Sequence, residues 1–331
     1  ARERLDKAGE QAKEFRPRQR TAVVNNLWKG MTRAPSDWGA KTAVPRDTLV
    51  KVAEAAAKLP EGFVPHPKLG KLMTQRADAV RAGEAIDWGS GEMLALGSLL
   101  LEGTPVRFTG QDVQRGTFSH RHAVLFDYNT GQCYAPLNHV AEKQAKLTVI
   151  NTMLSELAVL GFEYGFSSAD PRNLVVWEAQ FGDFVNGAQP IIDQCITAAE
   201  SKWRLMNGLV MLLPHGFEGQ GPEHSNAYLD RFLSLCAEDN LQVCVPTRPA
   251  QYFHLLRRQV HRTFRKPLVL MTPKSLLRYS PSWSRLSEFT DSTFQLVLDD
   301  PSNPERDSIR RVLFCSGKVF VDLESASARA N

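Results

Sequence analysis

The sequence predicts an α/β fold with a mostly parallel, doubly wound sheet. Short runs that are apolar throughout, such as residues 209–213, alternate with longer segments of helical periodicity along the middle of the chain. Strands of this kind are typical of parallel sheets buried on both faces, and the intervening helices supply the covering layers. The length of 331 residues, 43% of them hydrophobic, is enough for a sizeable core and for two domains.

Three parts of the chain differ in their composition. Residues 1–84 are rich in charges, and we expect an N-terminal arm or linker with short helices, one of them at 50–59. Residues 85–275 carry the regular alternation of strands and helices. Residues 276–331 are mostly polar, but the apolar run at 311–315 predicts the opening strand of a second, truncated α/β unit.

Within the central part, each predicted element follows from its apolar pattern. Helices are predicted where apolar residues recur every three or four positions, and strands where a few apolar residues stand together between turn formers. In chain order these are helix 93–101, strand 106–109, strand 123–126, helix 154–166, strand 174–177, helix 190–203, strand 209–213, the amphipathic run 229–236, strand 241–245, helix 249–263 and strand 268–271.

One loop of this predicted sheet is rich in polar side chains. The stretch 213–225, LPHGFEGQGPEHS, follows the strand 209–213 and holds three glycines, two histidines and two glutamates. Glycines allow tight turns and a close approach of the backbone to a ligand, and Pro222 suits the first turn of a helix whose free amides attract anions. Open α/β sheets bind ligands at such crossovers, so this stretch predicts an active-site loop.

Charge and cysteine content limit the partners and the compartment. The formal net charge of +4 is too small to demand a nucleic acid, and no apolar run approaches the roughly 20 residues of a membrane span. The five cysteines are scattered without a Cys-x-x-Cys pair, which favours a reducing compartment such as the bacterial cytoplasm or the mitochondrial matrix. The chain starts at Ala1 with a charged run, so we expect no signal peptide and a piece of a longer protein.

Several common kinds of site lack their motif in this sequence. The two Gly-Lys pairs, at 70–71 and 317–318, have neither the upstream glycine nor the following Ser or Thr of a phosphate-binding loop. There is no Gly-x-Ser-x-Gly nucleophile elbow. The Gly-x-Gly at 219–221 resembles the start of a dinucleotide fingerprint, but His224 stands where the third glycine belongs. Nucleotide hydrolysis, serine hydrolysis and nicotinamide binding are therefore disfavoured.

Residue chemistry alone leaves two polar positions open. His224 is either a ligand-binding histidine or one that hydrogen-bonds only to its own loop. Glu156 opens an apolar helix, where a carboxylate ordinarily favours the positive helix end and stays solvated. A metal site built from His215, Glu218 and His224 is disfavoured, because their spacing matches no helical ligand pattern.

Five strings of residues together resemble one enzyme family. They are QDVQRGTF at 111–118, LSE at 154–156, WEAQFGDF at 177–184, the loop 213–225, and LMTPKSLLR at 270–278. From about residue 85 to the end, the chain resembles the decarboxylating, thiamine diphosphate-dependent subunit of the 2-oxoglutarate dehydrogenase complex. The resemblance implies a transketolase-like pyrimidine-binding domain at 85–275 and the start of a transketolase-like C-terminal domain at 276–331.

The resemblance implies which residues bind the cofactor. Glu156 matches a catalytic glutamate that hydrogen-bonds the aminopyrimidine ring of thiamine diphosphate and controls a proton there. Phe181 and Phe184 match aromatic residues that pack on the pyrimidine, and Gln180 belongs to the same cofactor-binding string. No metal ligand is expected here, because residues 25–26 lack the Gly-Asp-Gly that precedes Asn-Asn in the motif for Mg²⁺ and the diphosphate. Those ligands are expected in a missing upstream domain.

The resemblance also implies residues that meet the substrate. Gln111 and His224 match positions that contact 2-oxoglutarate and its covalent intermediate. His224 is the second implied catalytic residue, since a histidine there would bind a carboxylate or move a proton near neutral pH. His120, His122 and Arg115 lie nearby in the sequence and are further candidates.

The implied activity belongs to the tricarboxylic acid cycle. A homodimer would decarboxylate 2-oxoglutarate oxidatively and pass the succinyl group to the lipoyl domain of dihydrolipoyl succinyltransferase. Two alternatives stay open, a related enzyme for another 2-oxo acid and a non-catalytic regulatory module of the same fold. The presence of both Glu156 and His224 argues against the module. Without the upstream domain, we expect the isolated chain to be inactive.

Two basic segments have interpretations of their own. Residues 16–20, RPRQR, predict a solvated face. Five cations on and just after the helix 249–263 predict either another solvated face or a site for an anionic effector, such as a nucleotide or acyl-coenzyme A, with Arg258 as its central residue. The five are Arg257, Arg258, Arg262, Arg265 and Lys266.

Overall fold

A computed structural model describes residues 2–14, 27–300 and 304–330 of the chain. Its central strands are β1 Val106–Gly110, β4 Leu147–Asn151, β5 Leu174–Glu178, β6 Val210–Pro214, β7 Gln242–Cys244 and β8 Leu268–Thr272. They form one six-stranded sheet in the order β4-β1-β5-β6-β8-β7, and every neighbouring pair is parallel. β2 Leu125–Phe126 and β3 Cys133–Tyr134 form a separate antiparallel hairpin.

Helices precede, connect and follow these strands. They are α1 Arg2–Glu14, α2 Arg46–Ala57, α3 Pro67–Ala82, α4 Trp88–Leu101, α5 Glu156–Ala169, α6 Gln189–Ile191, α7 Leu229–Ser234, α8 Pro249–His261, α9 Ser287–Thr290 and α10 Lys318–Ala330. Side-chain caps fix where several begin: Asp87 accepts from Ser90 N before α4, and Ser155 accepts from Ala158 N before α5. α3 ends at Gly83, whose φ of +84° is the left-handed conformation common at helix ends.

The sheet has a hydrophobic core on each face, as a doubly wound fold requires. Along β5, Leu174 and Val176 join one core, while Val175 and Trp177 join the other. All four side chains are buried, because successive residues of a strand point to opposite faces. The predicted α/β fold class is confirmed. Residues 174–177 of β5 are apolar throughout because both faces of the sheet are buried there.

Part of the predicted N-terminal arm belongs to one of these cores. α2 buries Leu49 and Val52, and α3 buries Val80, in the core that also contains α4 and α8. α2 and α4 approach so closely that a β-carbon at Gly97 would lie 2.3 Å from Val52 Cγ1. Residues 2–13 of α1 are exposed. The helices α2 and α3 therefore pack into a core and are not part of a loose linker. The domain boundaries at 84 and 275 stay predictions.

Two predicted elements take a different form. Residues 311–315 are irregular instead of a strand, and Phe314 is 89% exposed. A strand needs partners for its backbone groups, and none of the described strands pairs with this segment. The predicted helix 190–203 begins as α6 but continues as two π-helical turns, Ile192–Ile196 and Ala199–Trp203.

Other parts of the sequence prediction are only partly met. The apolar pattern did not predict the edge strand β4 or the helix α3. The run at 123–126 forms half of the hairpin instead of joining the sheet. The segments 16–20 and 25–26 lie outside the described residues. Where the structure describes the chain, no helix is long and apolar enough to cross a membrane, and all five cysteines are free.

A buried ion cluster joins the sheet to α4 and to the loop after β1. The Arg121 guanidinium donates to Glu92 at 2.5 Å and to Glu178 at 2.7 Å, and Tyr252 donates to Glu92 at 2.7 Å. All four residues are buried. Burial alone would lower the pKa of Arg121, but the two carboxylates raise that pKa well above its ordinary value. Arg121 therefore stays charged and pairs with both carboxylates, while burial raises the pKa of Glu178 above its ordinary value.

Arg121→Met is expected to lower the free energy of unfolding by about 3–5 kcal/mol, because it leaves Glu92 and Glu178 buried without a cation. Chemical denaturation followed by circular dichroism measures this loss. Arg172→Met is the control, since Arg172 is exposed in its pair with Asp170 and solvent screens such pairs, so its loss should change the free energy of unfolding far less. Equal losses in the two variants would contradict the role given to Arg121.

Candidate active site

The predicted site residues meet at the carboxyl edge of the sheet. Because β1, β5, β6 and β8 run parallel, the loops that follow them emerge together. Gln111 follows β1, Phe181 lies shortly after β5, and the glycine-rich loop 215–225 follows β6. Glu156 reaches the same edge as the first residue of α5, which follows β4.

An aromatic cluster lines this edge. The rings of Phe181 and His224 stack with centroids 4.0 Å apart and planes 17° from parallel. Phe184 meets both of them edge-on, at 5.7 Å from His224 and 6.0 Å from Phe181. Phe118 adds an edge contact with Phe181 at 5.7 Å. Sequence reasoning assigned no role to Phe118, although its place at the end of the string QDVQRGTF was a signal.

The turn 181–184 docks on the loop after β6. Gly182 is required there, because a β-carbon at this position would lie 2.3 Å from Ala227 Cβ. The Asp183 carboxylate accepts hydrogen bonds from Ser225 N at 3.1 Å and from the following amide at 2.9 Å. These contacts hold the two phenylalanine rings of the turn against the glycine-rich loop.

The glycine-rich loop leads into one short helical turn with Pro222 at its start, as predicted, but this turn does not continue as a longer helix. Pro222–His224 is a single 3-10 turn, and α7 begins only at Leu229. Asp183 takes the amides that a continuing helix would use, and Tyr228 has a left-handed φ of +55°. His224 therefore presents its ring from a turn.

Glu156 is the first residue of α5, as the sequence predicts, and it is partly exposed. Gln111 Nε2 donates to Glu156 Oε1 at 3.5 Å, the outer limit of a hydrogen bond. The other oxygen, Oε2, lies 3.6 Å from where a β-carbon of Gly187 would stand, beside the turn that follows Phe184. The carboxylate therefore keeps acceptor capacity for a ligand.

Exposed apolar side chains flank Glu156 in the sequence and continue along α5. We name them the α5 face, and they are Met153, Leu154, Leu157, Phe162 and Phe166. Met153 is 98% exposed and Phe162 is 56% exposed, and the rings of Phe162 and Phe166 stack at 6.5 Å. Grouped apolar side chains on a surface mark contacts with another molecule or domain.

Gln180 joins two of the loops at this edge. Its Nε2 donates to Asp112 Oδ2 at 3.2 Å, which links the loop after β5 to the loop after β1. Asp112 holds a left-handed φ of +55° at this contact. Gln180 thus has a partner in the protein, and its predicted contact with a cofactor stays a prediction.

The three further candidates differ in access. Burial, with Arg121 next to it, lowers the pKa of His120 well below the ordinary value, and its Nδ1 has no hydrogen-bond partner among the described residues. Burial also lowers the pKa of His122, whose Nε2 lies 3.1 Å from Ser119 O. Arg115 is exposed. His120 is therefore neutral near pH 7, and of the three only Arg115 can reach far into solvent.

Several polar residues in and beside the glycine-rich loop have partners in the protein, although the buried Oε1 of Gln220 has no hydrogen-bond partner among the described residues. His215 Nδ1 accepts from a backbone amide at 3.0 Å, and burial lowers the pKa of this histidine. Glu218 accepts from the Ser275 amide at 2.6 Å and from its hydroxyl at 2.8 Å. Lys274 Nζ donates to His224 O at 2.6 Å. Within the described residues, no group of three or more His, Cys, Asp or Glu side chains could hold a metal ion.

The basic residues on and after α8 are buried, so the solvated-face interpretation is wrong. Arg258 donates to Gln242 Oε1 at 3.1 Å and lies 4.1 Å from the ring centroid of Phe294. Arg262 donates to the same oxygen at 2.6 Å, and burial lowers its pKa to about 9. An anionic effector at Arg258 stays a prediction, and it would have to replace Gln242. The buried set is Arg257, Arg258, Arg262, Arg265 and Lys266.

Comparison with known proteins gives two family matches and a set of close relatives. Residues 84–280 match the family described as transketolase, pyrimidine binding domain, and residues 283–331 match 2-oxoglutarate dehydrogenase C-terminal. Similar proteins include the 2-oxoglutarate dehydrogenase E1 components of Brucella anthropi, Brucella canis and Brucella ovis, each 49% identical over 335 residues. The alignments cover 97% of this chain and 33% of each relative. The chain thus spans about a third of the length of the curated relatives it matches.

The first family match coincides with the architecture described above. It contains all six strands of the parallel sheet, the aromatic cluster and Glu156. The resemblance drawn from the sequence strings is confirmed. Because this match extends over more than half of the 331 residues, the chain belongs to the family of transketolase pyrimidine-binding domains.

Proposed function

We propose that this chain is the pyrimidine-binding part of a thiamine diphosphate-dependent 2-oxoglutarate dehydrogenase. The observation that carries the proposal is the 49% identity, over 97% of the chain, to relatives named 2-oxoglutarate dehydrogenase E1 component. Membership of the transketolase pyrimidine-binding family implies thiamine diphosphate as the cofactor. The geometry supports this, since a carboxylate with open acceptor capacity and a wall of rings lie at one edge of the sheet.

The residues at this edge fit one half of that cofactor. Phe181 and Phe184 offer apolar ring surfaces for a flat pyrimidine, and Glu156 offers a carboxylate oxygen for its polar atoms. The diphosphate and Mg²⁺ need several oxygen ligands or amide donors. The chain spans about a third of the length of its relatives, and we propose that the Mg²⁺ and diphosphate ligands lie in another part of the full-length protein.

Each residue then has a separate task. Thiamine diphosphate, when bound, supplies the carbanion chemistry for decarboxylating a 2-oxo acid. Glu156 hydrogen-bonds the pyrimidine ring and holds or moves a proton there. Phe181 and Phe184 orient the ring and exclude water. Gln111, at 3.5 Å from Glu156, orients its carboxylate and faces the substrate.

His224 meets the substrate in this proposal. One face of its ring stacks on Phe181, and its side chain is 32% exposed, so part of the imidazole remains accessible. An imidazole can bind a carboxylate of 2-oxoglutarate or move a proton near neutral pH. Oxidative decarboxylation leaves a succinyl group, which passes to the lipoyl domain of dihydrolipoyl succinyltransferase.

The α5 face supports a homodimer as the active form. Its apolar side chains start beside Glu156, at Met153, Leu154 and Leu157, so a second copy that covers them would bring its own Mg²⁺- and diphosphate-binding domain near this carboxylate. The bacterial cytoplasm or the mitochondrial matrix is part of the same proposal. A related enzyme for another 2-oxo acid is the second candidate, because the fold is shared by several chemistries. A non-catalytic module is disfavoured, since it would need neither Glu156 nor His224.

Glu156→Ala in the full-length enzyme is expected to lower decarboxylation of 2-oxoglutarate by about 10²–10⁴-fold, because a positioned proton-transfer group is lost. The melting temperature should stay unchanged, since Glu156 is partly exposed and makes one long hydrogen bond. Steady-state release of carbon dioxide measures the rate. Glu61→Ala, at an exposed position, is the control and should retain full activity. More than half of the wild-type rate in Glu156→Ala would overturn the assignment.

The isolated chain is expected to bind thiamine diphosphate weakly, because we propose that the ligands for Mg²⁺ and the diphosphate lie in another domain of the full-length protein. Calorimetric titration with the cofactor and Mg²⁺ tests this, with the full-length enzyme as the positive control. The isolated chain should also release no carbon dioxide from 2-oxoglutarate. Micromolar binding by the chain alone, about −8 kcal/mol, would mean that a complete site exists within it.

A further inference from the structure

Two loops at the carboxyl edge of the sheet are fastened to each other. They follow the neighbouring strands β6 and β8, and His215 N donates to Thr272 O at 3.0 Å where both strands end. Beyond this point, Lys274 Nζ donates to His224 O at 2.6 Å. In the opposite direction, the Glu218 carboxylate accepts from Ser275 N at 2.6 Å. We name these two contacts the 218–274 clasp.

The cation of this clasp is buried. Lys274 is 4% exposed, and its ammonium donates to a backbone carbonyl. Burial lowers the pKa of Lys274, while Glu218 and Asp183 act in the opposite direction. A lysine buried in this way costs free energy unless its hydrogen bonds compensate. The carbonyl that it contacts belongs to His224, the proposed substrate-binding residue.

The clasp compensates for a flexible backbone. Gly216 and Gly219 have φ values of +114° and +89°, conformations that glycine adopts without strain and that leave the loop few side-chain contacts. On one side of His224, the ring stacks on Phe181 at 4.0 Å. On the other side, its carbonyl is held by Lys274. The ring also meets Phe184 edge-on at 5.7 Å and its Nδ1 lies 3.6 Å from Glu223 Oε1, so Lys274 adds a backbone contact to those that the ring makes.

We propose that Lys274 is a positioning residue for His224. Together with Glu218, it fixes the carbonyl of His224 and so holds the imidazole against Phe181, where it meets the substrate. Lys274 itself does not contact the substrate, because its ammonium is buried and already donates to the protein. The inference rests on the proposed function in one respect only, the role of His224. The clasp itself is testable in the chain without any cofactor.

The first experiment measures the loop directly. Lys274→Met keeps an unbranched side chain that is one heavy atom shorter and removes the charge, so amides 216–226 should exchange hydrogen for deuterium about tenfold to a hundredfold faster, as expected for loss of a hydrogen bond to a charged group. Lys318→Met is the matched control, because Lys318 pairs with Asp322 on an exposed helix. Lys274→Arg should restore part of the protection. Unchanged exchange in Lys274→Met would overturn the clasp.

The second experiment is a double-mutant cycle in the full-length enzyme. Lys274→Met is expected to lower kcat for 2-oxoglutarate about tenfold to a hundredfold, and to have no further effect once His224→Ala is present. A residue with only a structural role would lower the rate in both backgrounds, and that additive result would overturn the proposal. If Lys274→Met lowers kcat equally with and without His224→Ala, the positioning role of Lys274 is wrong. The proposed function is tested separately by Glu156→Ala.

If Lys274→Met does not fold, Glu218→Gln tests the same proposal. The amide has the same shape as the carboxylate but accepts weakly, so it should also speed exchange of amides 216–226 and lower kcat with the same coupling to His224→Ala. If amides 216–226 of Glu218→Gln exchange at the wild-type rate and its kcat equals that of the wild type, the proposal is overturned.

Discussion

Arg121 carries the positive charge on which the carboxyl edge of the sheet depends. It binds Glu92 of α4 and Glu178 at the end of β5, and it belongs to the loop that begins at Gln111. Phe181 follows Glu178 by only a few residues, so one guanidinium fixes the starting points of two site loops. Such a cluster is stabilising only as a complete set, because removing the cation leaves two buried carboxylates.

The two residues that we propose as catalytic differ in how firmly the chain holds them. Glu156 has one long hydrogen bond and stands among the exposed side chains of the α5 face. By contrast, His224 is held from two sides, by the ring of Phe181 and by Lys274. The carboxylate that we propose for the cofactor is thus left open, whereas the imidazole that we propose for the substrate is already positioned within the chain. This division suits a site in which the cofactor arrives on a different domain.

The sequence predicted local features well and distant partners poorly. The strand at 209–213 and the glycine-rich loop were predicted because an apolar run and turn-forming residues are local signals. The strand at 311–315 was predicted from the same kind of signal, but pairing depends on a neighbour that an apolar run cannot reveal. Arg258 was read as solvent-exposed or effector-binding, because its partners Gln242 and Phe294 are far away in the chain. Family strings, not periodicity, singled out Glu156.

The structure of the full-length enzyme with thiamine diphosphate and Mg²⁺ tests the central claim most directly. The account predicts the Glu156 carboxylate within hydrogen-bonding distance of the pyrimidine ring, with Phe181 and Phe184 against that ring. It also predicts that Mg²⁺ and the diphosphate are bound by residues outside this chain. A cofactor whose pyrimidine contacts none of these three residues, or a metal ion held by this chain alone, would contradict it.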